Sequence, residues 1–216
     1  MKRLLLPLLL LALPALADER LTFTVVGIDC AGCAGPITKQ LKAVDGVKSA
    51  SVDWKAGTAT VELADGVDKQ KLRTAITDLG FEAIFPGEAR RDLEALPADV
   101  IKTLDIAELP GTKKVDVKAL PVKGKITILD VYADWCGPCK VLETRLQRYM
   151  QANSGIALRR VNIGKWDNEA AKQATREFRA EGLPYIRVYD RNGKFVADVT
   201  GGMWDEVLAA VDKAGR

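Results

Sequence analysis

Two cysteine pairs carry the chemistry that this sequence can be read for: Cys30-Ala31-Gly32-Cys33 and Cys136-Gly137-Pro138-Cys139. Two thiols separated by two residues at a helix start can close a small disulfide ring. Unpaired N–H groups and the macrodipole at that end favour negative charge. They therefore favour the thiolate, the form that attacks disulfides and binds metal. No histidine is present, so imidazole is excluded as base or ligand. Proton transfer and metal binding fall to cysteines and carboxylates. Such a pair can serve in redox exchange, as a structural crosslink, or as half of a four-thiolate zinc site.

For the second pair the context favours redox exchange. Ile126 to Lys140 reads ITILDVYADWCGPCK, a buried apolar strand running into a turn that opens a helix. Asp130 interrupts the apolar strand six residues before Cys136. The alternation of Ile128, Asp130 and Tyr132 predicts a buried carboxyl. Low dielectric raises the pKa of such a group toward values useful for proton transfer. WCGPCK after a strand, with Gly182-Leu183-Pro184 far downstream, resembles thioredoxin over roughly residues 112–216. The resemblance implies that Cys136, beside Trp135, is the nucleophile and that Cys139 resolves the mixed disulfide. It also implies that Asp130 takes the proton of Cys139 and that Pro184 is a cis-proline facing the pair. Gly201-Gly202 would leave a flat groove for substrate. Tyr132 stands where the family usually has tryptophan and Arg160 where it has lysine.

Residues 20–86 hold the first pair. Leu21, Phe23 and Val25 alternate as in a strand, and Ile37, Leu41 and Val44 recur at helical spacing. Val47–Trp54 and Thr58–Leu63 form a hairpin across Ala56-Gly57. Leu72, Ala75, Ile76 and Leu79 mark a second helix over about 68–79, before a short strand at Phe81–Phe85. The order is βαββαβ, a ferredoxin-like sandwich. The loop Gly27-Ile28-Asp29-Cys30-Ala31-Gly32-Cys33, with Asp45-Gly46-Val47 and Leu79-Gly80-Phe81, resembles the heavy-metal-associated domain. That resemblance implies a soft ion held by Cys30 and Cys33. Thiolates prefer Cu(I), Hg(II), Zn(II) or Cd(II). Asp29 is either a third, harder ligand or the cap of the following helix.

The chain of 216 residues divides accordingly into a signal segment (1–17), a heavy-metal-associated unit (18–86), a linker (87–111) and a thioredoxin-like unit (112–216). The linker is expected to hold a short helix within Pro97–Leu109. The second unit should add strands near 114–117, 125–133 and 157–163, and helices at about 137–153, 168–179 and 203–214. Its last hairpin should pair Tyr185–Asp190 with Lys194–Thr200 across Asn192-Gly193. Trp54, Trp166 and Trp204 read as packing residues. MKRLLLPLLLLALPALA has a basic start, a leucine-rich run and a small-residue cut site after Ala17. The expectation is a periplasmic protein with no membrane anchor after cleavage. Net charge is +3, and +1 without Lys2 and Arg3, which points to neither nucleic acid nor an anionic membrane. No nucleotide-binding motif is present, so electrons for a reducing thioredoxin-like unit would come from a membrane thiol donor. Clients would be disulfide proteins or metalloproteins, or the Cys30–Cys33 pair itself, which tends to close in an oxidising compartment. Two rivals remain at this level. One is a metal carrier whose thioredoxin fold only recognises partners; the other is a disulfide oxidase or isomerase.

Overall fold

A computed structural model describes residues 19–216; the expected signal segment 1–17 lies outside the described residues. The first unit runs β1 (Glu19–Val26), α1 (Ala31–Lys42), β2 (Val47–Asp53), β3 (Thr58–Leu63), α2 (Lys69–Thr77) and β4 (Glu82–Ile84). Its antiparallel sheet has the order β2-β3-β1-β4. Alternation along β1 turns Leu21, Phe23 and Val25 inward, where Ile37 and Leu41 of α1 and Leu72 and Ile76 of α2 meet them. Each fully buried aliphatic side chain contributes about 1.5–3 kcal/mol, so one helix-covered face suffices to hold this small sheet. Asp68 caps α2 by accepting the Gln70 N–H at 2.8 Å.

The second unit contains β5 (Ile106–Leu109), β6 (Ile126–Tyr132), α4 (Gly137–Ala152), β7 (Ile156–Asn162), α5 (Glu169–Arg176), β8 (Tyr185–Tyr189), β9 (Phe195–Thr200) and α6 (Trp204–Gly215), with α3 (Ala98–Ile101) just before it. Its sheet has the order β5-β7-β6-β8-β9, parallel through the first three strands and antiparallel after. Strand β6 is central and buried on both faces. That explains its near-continuous apolar sequence. One core lies on each side. Leu129 and Val131 meet α5 residues Ala170, Ala171 and Ala174, while Ile128 meets Leu142 and Leu146 of α4 and Val207 of α6. The molecule is thus a ferredoxin-like βαββαβ sandwich followed by a thioredoxin fold.

The structure departs from expectation ahead of β6. No strand forms at 114–117. The edge strand is Ile106–Leu109, from the segment read as linker, and it pairs in parallel with Leu158–Val161 of β7. Residues 113–116 are held instead by Gln173 of α5. Its side chain accepts the Val115 N–H at 2.7 Å and donates to the Val115 carbonyl at 3.0 Å. The linker helix is a single turn, α3, preceded by a short 3-10 turn at Arg91–Leu93.

Candidate functional site

The second cysteine pair sits where buried β6 hands over to α4. Cys136 is the N-cap of α4 in extended conformation, and Pro138 fills the first turn, where its missing N–H leaves no bond unmade. The Cys136 and Cys139 sulfurs are bonded at 2.02 Å. Cys136 Sγ also accepts the backbone N–H of Cys139 at 3.2 Å. A donor aimed at this sulfur favours its charged form once the disulfide is opened. Cys136 is only 5% exposed and Cys139 2%, whereas Trp135 beside them is 50% exposed. Trp135 donates its indole N–H to the Gly164 carbonyl, and its ring lies 6.3 Å from that of Trp166. The Leu183–Pro184 bond is cis, as expected.

Asp130 is buried, 1% exposed. In register beside it on β7 stands Arg160, whose Nε donates to Asp130 Oδ2 at 3.0 Å. Asp130 Oδ1 has no partner. Burial raises the Asp130 carboxyl from the ordinary 3.8 to about 6; the Arg160 charge and hydrogen bond pull the other way without cancelling it. Arg160 is shared. It also holds Glu143 at 2.6 Å and Glu108 at 3.3 Å, and its guanidinium lies 3.9 Å from the Tyr132 ring centre. Glu143 is one helical turn beyond Cys139 on α4, so Arg160 links Asp130 to the helix face that carries Cys139. Sequence reasoning missed both glutamates. The four-residue spacing from Cys139 could have found Glu143; Glu108 sat in the presumed linker and carried no signal.

In the first unit Cys30 is the N-cap of α1, again extended, and its sulfur is bonded to Cys33 at 2.11 Å. No side chain caps α1, so Asp29 is not the cap. Its carboxylate pairs with Lys140, the residue after Cys139. One carboxylate oxygen of Asp29 and the sulfurs of Cys30 and Cys33 all lie within 4.8 Å of one another. Two thiolates and one carboxylate at this spacing, once the disulfide is open, fit a soft ion of low coordination number.

The two sites adjoin. A Cβ placed on Gly137 would stand 2.0 Å from the Gly27 carbonyl oxygen and 3.1 Å from the Phe81 ring. A Cβ on Gly80 would stand 2.8 Å from Pro138, and one on Gly202 3.3 Å from the Gly80 backbone. Glycine at these positions lets the backbones meet. Beside that contact Arg145 of α4 binds Glu82 at 2.6 Å with both side chains buried, and Asp92 at 3.2 Å. Arg90 binds the same two acids at 3.3 and 2.7 Å. A cleft of about 320 Å³ between the units is lined by Gly27, Ile28, Asp29, Lys140 and Val141, among others.

Comparison with known proteins agrees with this division. The heavy-metal-associated domain family matches residues 22–82, and the thioredoxin family matches residues 112–213. The chain is similar to chloroplastic thioredoxin F of Oryza sativa, 28% identical over 88 residues, 41% of this chain and 44% of that protein. It is also similar to sporulation thiol-disulfide oxidoreductase A of Bacillus subtilis, 28% identical over 134 residues, 60% of this chain and 76% of that protein. The copper-transporting ATPase HMA5 of Oryza sativa is 42% identical over 62 residues, 28% of this chain and 6% of that protein. The chain spans less than half the length of the first of these relatives. The CxxC pairs therefore sit in two different settings: residues 22–82 are a heavy-metal-associated domain, and residues 112–213 are a thioredoxin domain.

Proposed function

We propose that this protein is an exported, periplasmic thiol–disulfide oxidoreductase working in the reducing direction, joined to a soft-metal carrier whose thiols, or those of client metalloproteins, it keeps reduced. The observation that carries this reading is the buried Asp130, its pKa raised to about 6, joined through Arg160 to Glu143 one helical turn beyond Cys139. In the proposed reaction the Cys136 thiolate attacks one sulfur of a client disulfide. A mixed disulfide forms and one client thiolate leaves. Asp130 accepts the proton of Cys139, whose thiolate then attacks Cys136 Sγ. The Cys136–Cys139 bond closes and the second client thiolate departs. Two electrons pass from the pair to the client. A dithiol donor, proposed to be a membrane thiol transporter, then reduces the pair again. Trp135, next to Cys136 in the chain, and the cis-proline Pro184 would orient the client chain. In the reduced first domain Cys30 and Cys33, with Asp29 as third ligand, would take Cu(I), Hg(II), Zn(II) or Cd(II) as cargo. Export, by cleavage after Ala17, supplies the oxidising setting in which a reductase for these thiols is needed.

The test is reduction of insulin disulfides by the purified protein. Cys136→Ser should abolish it while leaving Cd(II) binding at Cys30 and Cys33 intact. A strongly oxidising potential for the second pair would overturn the reducing direction and leave the oxidase or isomerase reading.

A further inference from the structure

We propose that the heavy-metal-associated domain is a reversible cover on the client groove of the thioredoxin domain, so that a folded client reaches Cys136 only after the two domains part. The identity of the groove rests on the oxidoreductase reading above; the closure itself rests on geometry. The surface a client would need is made by Gly137, Pro138 and Gly202, around Cys136, a residue only 5% exposed. All three residues already touch the first domain, through Gly27, Gly80 and Phe81. Val141 supports the same conclusion. It is 3% exposed yet belongs to neither hydrophobic core of the thioredoxin domain. A Cβ on Gly27 would lie only 2.6 Å from its methyl group, so its burial comes from the domain contact. The buried Glu82–Arg145 pair gives the contact one register, because separation would break its 2.6 Å ion pair and leave Arg145 only Asp92 and Glu82 only Arg90. Lys140 and Asp29 add a second, more exposed pair at the rim. Trp135 stays half exposed, which marks the closure as one-sided: it excludes a protein surface more strongly than a small thiol reagent.

The experiment uses the full chain with Cys30, Cys33 and Cys139 replaced by serine, leaving Cys136 as the single thiol. The measured quantity is the labelling rate with a bulky maleimide–polyethylene glycol relative to N-ethylmaleimide. Val141→Arg and Arg145→Glu, each checked for a cooperative thermal transition, should raise that ratio about tenfold, in proportion to the open fraction. If Arg145→Glu fails to fold, Val141→Arg alone decides. A ratio equal in the parent and Val141→Arg proteins would overturn the cover. Insulin reduction by the same variants with all four cysteines restored tests the underlying reading separately. Faster labelling with no insulin reduction sinks the reductase and leaves the cover standing. Equal labelling with brisk insulin reduction sinks the cover alone.

Discussion

Asp130 shows at the residue scale how a single carboxyl ties function to stability. Its pKa in the folded protein, about 6, lies above the ordinary 3.8, so between those values the native state holds a proton that the unfolded chain has lost. Folding is therefore weakened as pH rises through this window, by about 3 kcal/mol for a shift of about two units. Asp130→Asn should gain stability relative to wild type as pH goes from 4 to 7, measured by urea unfolding at each pH. It should also lose most insulin reduction at pH 7, and the wild-type rate should fall as pH drops below about 6. Asp29 carries a different conflict, because the Lys140 ammonium competes with a metal cation for the charge of this carboxylate. An exposed pair of this kind is worth about 0–1 kcal/mol, so Lys140→Ala should tighten Cd(II) binding about two- to fivefold. Calorimetric titration of protein with Cys136 and Cys139 as serine checks this. The pairing of Cys30 with Cys33 and of Cys136 with Cys139 was legible in the sequence because the spacing carries the constraint, and the cis bond at Pro184 because the thioredoxin resemblance implied it. The Lys140 partner of Asp29 was not, since 111 residues separate them and only docking brings them together.

Elements with a strong repeat of their own were read correctly: the alternating β1, the buried β6, and the hairpin at Asp190–Lys194, where Asp190 accepts the N–H groups of Asn192 and Lys194 at 2.9 Å. Strand β5 escaped because it owes its form to β7, not to its own pattern. Its four residues, Ile-Ala-Glu-Leu, are too few to show a period, and the parallel ladder that fixes them lies 52 residues away. Val115 and its neighbours looked like a strand for the opposite reason. Their sequence alternates as a strand does, but the Val115 backbone bonds to a glutamine side chain rather than to a sheet. Gln173→Ala would leave the Val115 N–H and carbonyl buried and unpaired. The expected cost is about 1–3 kcal/mol, visible as a lowered midpoint in denaturant unfolding with the disulfides intact.

At the scale of the whole molecule, the contact between domains depends on backbone approach and on one buried arginine, neither of which has a local signature in sequence. Arg145 reads as an ordinary helix residue until Glu82 and Asp92 are placed around it. Among the described residues no helix is long and apolar enough to cross a membrane. The linker has a part in the contact that its composition did not suggest. Asp92 and Glu94 are fastened to α4 by Arg145 and Arg148, so the chain from β4 to that anchor is the segment 85–91, itself pinned to the first domain by buried Phe85 and by the Glu88–Arg73 pair. Seven residues reach at most about 25 Å. A leash this short keeps the first domain near the groove at an effective concentration on the order of millimolar. A client dissolved at micromolar levels competes against a rival about a thousand times more abundant at the spot. Severing the leash would shift that contest more than removing any one of the contacts it keeps in range.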